Sequence, residues 1–154
     1  MPSWSAAELP NLTAQTCVET SPTSTLYNCI AWAAGDPKRW WWPVNRRGIS
    51  YWPQGVPREE TVQAFVLAFS TLGYSPCENP ILEEGVEKIA IYAKIAYGQA
   101  IPTHAARQLE SGEWTSKLGP LEDVRHLTLG AVSGPIYGRP MAFLFRPRIK
   151  IHCA

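Results

Sequence analysis

Hydrophobic positions change their period along this chain. In PREETVQAFVLAFSTLGY, residues 57–74, Val62, Phe65, Val66, Phe69 and Leu72 recur at the spacing of one helical face. Pro57 suits a first helical turn, Glu59 and Glu60 favour the positive end of a helix dipole, and Gly73 supplies a left-handed stop. The pattern predicts a helix over 57–73. A shorter apolar run in LYNCIAWAAGD, residues 26–36, predicts a second helix from Tyr27 to Ala34, stopped by Gly35 and Pro37. The loop before it, TSPTST at 20–25, offers several N-caps. Further on the period becomes two. EKIAIYAK at 87–94 reads as a strand, and PTHAARQL at 102–109 with EWTSKLG at 113–119 reads as a β-hairpin turning at ESG. PLEDVRHL at 120–127 reads as one helical turn opened by Pro120. RPMAFLFRP at 139–147 and RIKIHC at 148–153 read as short strands, and residues 1–25 carry little periodic pattern. Helices followed by an antiparallel sheet predict an α+β fold, in a single domain over 1–154.

Between the two helical patterns lies KRWWWPVNRRGISYWPQGVPREE, residues 38–60. It holds too many prolines, glycines and aromatics for a regular element, and its tryptophans are too apolar to leave in water. It is expected to be a long ordered loop folded over the domain and lining a groove beside Cys29.

Composition narrows the function. Hydrophobic residues make up 45% and charged residues 18%, a globular balance. The net charge of +1 gives no reason to expect nucleic acid as a partner, and arginines such as Arg46, Arg47, Arg146 and Arg148 read as solvated surface. No apolar run approaches the ~20 residues of a membrane span, and no basic, apolar leader is visible. A cytoplasmic protein with free thiols at Cys17, Cys29, Cys77 and Cys153 is expected, without a membrane partner. No cofactor is expected. Cys29, His104, His126, His152 and Cys153 are soft ligands, but their spacing shows no zinc pattern, so no metal is expected either.

The candidate chemistry centres on Cys29, at the start of the predicted first helix, where unpaired N–H groups lower a thiol's pKa below its usual ~8.5. Buried packing is the alternative role for such a thiol. Asn28 beside it either caps the helix or donates its amide to an oxyanion. His104, on a later strand, is the candidate base, and a base needs a third group to orient it. A two-residue hairpin turn puts Thr115 and Lys117 on the face of His104; a three-residue turn puts Trp114, Ser116 and Leu118 there. The apolar Trp114 and Leu118 mark the second as the core face, turned toward the cysteine helix, which favours Ser116. Asp123 and His126 are alternatives. Trp32, Trp41, Trp42 and Trp114 are candidate substrate-binding residues, with Trp40 and Trp52 as further cleft wall. These residues fit a thiol-dependent hydrolase or transferase acting on a peptide or other amide-containing substrate. The alternative is a non-catalytic module whose tryptophan loop grips a peptide, a glycan or a protein.

YNCIAWAAGD, RWWWP, THAARQL and WTSKLG with EDVRH together resemble a bacterial domain family of uncharacterised function, from ELPNL to PIYGRP. The helix-borne Cys29 and strand-borne His104 resemble the papain superfamily, especially its compact cell-wall amidase branch. That resemblance implies N-terminal helices packed on an antiparallel sheet, a thiol nucleophile, a histidine base and a polar third residue on the next strand.

Overall fold

The computed structural model describes residues 4–44 and 50–148. Its framework is a seven-stranded antiparallel sheet: β1 (Cys17–Ser21), β2 (Ser75–Cys77), β3 (Val86–Ala96), β4 (Gln99–Gln108), β5 (Trp114–Lys117), β6 (Asp123–His126) and β7 (Arg139–Pro147), in the order β1-β6-β5-β4-β3-β7-β2. Among the described residues two α-helices join it, α1 (Cys29–Ala33) and α2 (Val62–Ser70).

The sheet is covered on both faces, which is why β3 is buried continuously from Glu87 to Ala93. Alternation sorts its side chains into two cores. Ile89, Ile91, Ala105 and Leu144 pack with α1, α2, Trp41 and Trp52. Ala90, Tyr92, Ala106, Trp114, Leu118 and Val124 pack on the opposite face with Leu9, Leu12, Val132 and Tyr137.

The α+β class holds, with fewer helical residues than the sequence pattern predicts. The long helix begins at Val62, because the Thr61 side chain accepts the Ala64 N–H as its cap. The Pro57 stretch instead holds the tryptophan loop, its carbonyl accepting the Trp52 indole N–H at 3.0 Å. The 120–127 segment is a strand, not a helical turn: β6 pairs with β5 on one side and β1 on the other, burying Val124 fully. Strand β1 itself arises in the weakly patterned N-terminal region and precedes both helices. The β4–β5 hairpin turns over three residues, closed by Leu109 N–H to the Glu113 carbonyl at 2.8 Å, with Gly112 at φ 92°. Arg148 follows β7, and the rest of the expected 148–153 strand lies outside the described residues.

The tryptophan loop is fastened at many points. Trp41 Nε1 donates to Asp36 and Trp42 Nε1 to Glu60, at 2.9 and 2.8 Å, and the rings of Trp42 and Trp52 both pack on Phe65. Residues 45–49 of this loop lie outside the described residues.

One loop between β6 and β7 approaches the sheet closely. Gly134 and Gly138 exchange backbone hydrogen bonds at 3.0 and 2.8 Å, and Gly138 has φ 73°. A Cβ at Gly138 would stand 2.1 Å from the Ala93 carbonyl oxygen. Gly138→Ala is therefore expected to destabilise the fold by about 3 kcal/mol, from backbone overlap added to a left-handed conformation. Gly85, at φ 75° with open space around it, provides the comparison: Gly85→Ala is expected to cost only about 1 kcal/mol. Urea denaturation of the two variants measures both terms, and equal losses refute the close approach.

Candidate functional site

The site is built where β4 and β5 part. Their pairing covers Arg107–Thr115 and Gln108–Trp114, so nearer its start β4 has no β5 partner for its backbone groups. The first residue of α1 takes that place. The Cys29 thiol donates to the Thr103 carbonyl with sulfur at 3.8 Å, and the Ala105 N–H points toward the sulfur. The cysteine therefore sits against the two residues that flank His104.

Asn28 fixes this helix start. Its Oδ1 accepts from the N–H of Ala31 and of Trp41, both at 3.1 Å, and its Nδ2 donates to the Trp41 carbonyl at 2.7 Å. One side chain thus caps α1 and pins the tryptophan loop to it, leaving one amide hydrogen uncommitted.

The thiol is not pre-ionised. Backbone N–H groups of Ala105, Ile30 and Cys29 and the charge of Lys117 favour a thiolate, but burial outweighs them and pushes the Cys29 pKa up to about 11. This reverses the sequence-based expectation. A five-residue helix offers little dipole, and Cys29 is only 5% exposed.

His104 is fully buried and belongs to a hydrogen-bonded chain. Its Nε2 lies 2.9 Å from Ser116 Oγ, Ser116 Oγ lies 2.8 Å from His126 Nε2, and His126 Nδ1 lies 2.8 Å from the Thr128 carbonyl oxygen. The last contact sets the direction of the rest. A carbonyl only accepts, so the neutral His126 carries its proton on Nδ1 and its Nε2 must accept. The Ser116 hydroxyl therefore donates to His126 and accepts from His104 Nε2–H. His104 Nδ1 is left unprotonated, buried and without a hydrogen-bond partner among the described residues. Tyr137 stacks on the imidazole at 4.1 Å between centroids, and Tyr92 meets it edge-on at 5.1 Å. Burial, together with neighbouring His126, holds the His104 pKa well below 6.5, and burial lowers His126 too.

The structure thus pairs Ser116 with His104, as the three-residue turn implies, and adds His126 behind it. Thr115 and Asp123 lie on the other face: Thr115 accepts from the Trp32 indole at 2.9 Å and Asp123 from the Tyr27 hydroxyl at 2.7 Å. The expectation that Trp114, Ser116 and Leu118 face the cysteine helix is corrected. They face the second core, because the sheet has one on each side. Thiol and imidazole approach from opposite faces at the edge of β4, and no hydrogen bond joins them.

A cavity of about 240 Å³ opens beside the thiol, lined by Asn28, Cys29, Trp40, Trp42, Thr103 and Tyr137 among others. Of the four expected substrate-binding tryptophans only Trp42 lines it. Trp41 is buried on Tyr51, Trp32 is held by Thr115, and Trp114 is second-core packing. Tyr137, unnoticed in the sequence, joins the site. Its only signal there is the pair of glycines in SGPIYGRP. Cys17 and Cys77 are free thiols elsewhere, and His152 and Cys153 lie outside the described residues. Among the described residues, no three His, Cys, Asp or Glu side chains are grouped to hold a metal, and no helix is long and apolar enough to cross a membrane.

Residues 18–145 match the profile of a family described as a domain of unknown function, DUF7689, in keeping with the resemblance to an uncharacterised family. No curated protein and no solved structure matches the chain.

The two depressed imidazoles make a pH prediction. Below pH 6.5 an unfolded histidine binds a proton that buried His104 and His126 refuse, so the unfolded state gains protons and stability falls as pH falls. The expected loss approaches about 1.4 kcal/mol per pH unit for each imidazole. Chemical denaturation of the wild type and of His126→Gln between pH 7 and pH 5 measures it. Equal slopes would show that His126 does not titrate on unfolding.

Proposed function

The chain belongs to the DUF7689 family, and we propose that it is a thiol-dependent hydrolase or transferase of amides, built in the papain-like manner, with Cys29 as nucleophile and His104 as base. The observation that carries this reading is the tautomer imposed on His104. Its one bare nitrogen is Nδ1, on a residue flanked by the two backbone groups that hold the thiol. Ser116 and His126 are positioning residues. They hold the imidazole in the form able to receive a proton.

The buried pair rests as thiol and neutral imidazole, so proton transfer accompanies attack. Cys29 Sγ bonds to the substrate carbonyl carbon while its proton passes to His104 Nδ1. The carbonyl π-electrons move to oxygen, where N–H groups at the start of α1 and the remaining amide hydrogen of Asn28 receive the oxyanion. Collapse breaks the carbon–nitrogen bond, and His104 returns the proton to the leaving amine. Water, or another amine in a transferase, then attacks the thioester as His104 takes its proton; collapse breaks the carbon–sulfur bond, releasing the acid or the new amide, and His104 returns the proton to the Cys29 sulfur. Tyr137 and Trp42 exclude solvent around these steps. The substrate is a peptide or other amide, and a cytoplasmic setting suits a free thiol.

A second reading, a binding module with the same tryptophan-walled cavity, draws support from the raised thiol pKa. The two separate on acyl transfer. With an activated thioester as acyl donor, the wild type is expected to show a covalent acyl adduct on the Cys29 peptide by mass spectrometry, at a rate nearly level from pH 7 to pH 9, because His104 is already neutral and the thiol still protonated across that range. Cys29→Ala is expected to abolish it. His104→Ala is expected to slow it by about 10²–10⁴-fold, the usual contribution of a general base. Ser116→Ala is expected to slow it roughly tenfold, with recovery in Ser116→Thr. Adduct formation at Cys77 in preference to Cys29, or indifference to His104, establishes the binding module instead.

A further inference from the structure

Beside the Cys29 cavity lies a second, wider one of about 810 Å³. Trp40 and Ser50 line both. The lining of the second cavity includes Lys38 and Arg39 and, among the described residues, no carboxylate. Arg39 is held in place for recognition. Its guanidinium carbon lies 3.6 Å over the Tyr51 ring, and its Nε donates to Asp36 Oδ2 at 2.8 Å. Asp36 is in turn fixed by the Trp41 indole and the Lys38 backbone N–H. Stacking and one ion pair together restrain the planar group, whose side chain stays 53% exposed. Its two terminal nitrogens have no partner among the described residues, nor does the Lys38 ammonium. A guanidinium so restrained presents the fork that matches a carboxylate.

The floor of this cavity is continuous with the nucleophile's own support. Tyr51 packs on Trp41 at 4.8 Å, its N–H bonds the Trp40 carbonyl at 2.8 Å, and Trp41 is clamped to Asn28 beside Cys29. A group bound at Arg39 is therefore in fixed register with the thiol.

We propose that the Lys38–Arg39 cavity is a carboxylate subsite, so that the amide acted on at Cys29 belongs to an acidic peptide or acyl-amino acid. The inference rests on Cys29 as the nucleophile for its consequence in turnover, but not for its consequence in binding.

The test uses two matched probe pairs. One pair is dialanine para-nitroanilide capped by succinyl or by acetyl, which places the acid on the acyl side. The other is acetyl-dialanine coupled to para-aminobenzoate or to aniline, which places it on the leaving side. Calorimetric binding to the Cys29→Ser protein and release of the amine by the wild type are both measured. In one pair the anionic member is expected to bind roughly tenfold tighter, a preference that shrinks as salt is raised and falls to about one in Arg39→Gln. If Arg39→Gln does not fold, the salt dependence and Lys38→Gln decide. Equal affinity within both pairs, or a preference indifferent to salt and to these substitutions, overturns the subsite. A binding preference without amine release by the wild type leaves the subsite standing and counts against the hydrolase.

Discussion

Everything at the site follows from the place where β4 loses β5. An unpaired strand backbone in a protein interior must find other partners, because a buried amide or carbonyl without one costs about 1–3 kcal/mol. Past Arg107 the two strands diverge, and the gap is closed by the start of a helix rather than by another strand. That substitution brings a cysteine to the sheet, forces the helix to be capped from within by Asn28, and anchors the tryptophan loop through the same amide. The cavity, its aromatic wall and the guanidinium beyond it are all referred to this one junction. The bulge in β4 at Thr103, between His104 paired with Tyr92 and Pro102 paired with Ala93, belongs to the same irregularity, since bulges turn a strand out of its ladder and re-aim side chains.

Burial and activation compete here, and burial prevails in the resting protein. The thiol has donors around it, yet removal from water raises its pKa more than those donors lower it. The same removal depresses His104. Neither group is charged at neutral pH, which spares the interior an ion pair whose desolvation is costly. What the structure stores in place of charge is orientation: an imidazole in a fixed tautomer and a thiol held on the adjoining backbone.

Much of this was legible in the sequence where the determinants are local. The hydrophobic period marked α2 and β3, and β7 falls on the very run RPMAFLFRP. The pairing of His104 with Ser116 followed from one decision about turn length, and Gly112 in the left-handed conformation is the physical reason for the three-residue turn. The determinants that were not legible are non-local. Strand β6 exists because β1 and β5 stand on either side of it, and nothing within PLEDVRHL reports those neighbours. Apolar alternation likewise shows that Trp114 and Leu118 face a core, but not which core. A sheet covered on one side and a sheet covered on both give the same alternation on such a strand, so the strand alone does not specify the direction of the cysteine helix. Tyr137 was invisible because its role depends on a backbone contact between Gly138 and a strand more than forty residues earlier in the chain.

The chain of hydrogen bonds behind His104 also explains why its last acceptor matters as much as its first donor. Serine and neutral histidine can each point a hydrogen bond either way, so a run made only of such groups has two directions of nearly equal energy. The Thr128 carbonyl removes one of them. A carboxylate in its place would also accept, but it would attract a proton to His126 and charge the interior. A peptide carbonyl fixes the direction without that charge. Because the carbonyl belongs to the backbone immediately after β6, the tautomer of His104 is set by the strand pairing of β6 with β5 and β1 rather than by any side chain in the cavity. The backbone after β6 thereby reaches the His104 imidazole through two hydrogen-bonded side chains, and the geometry of the site is a property of the whole sheet.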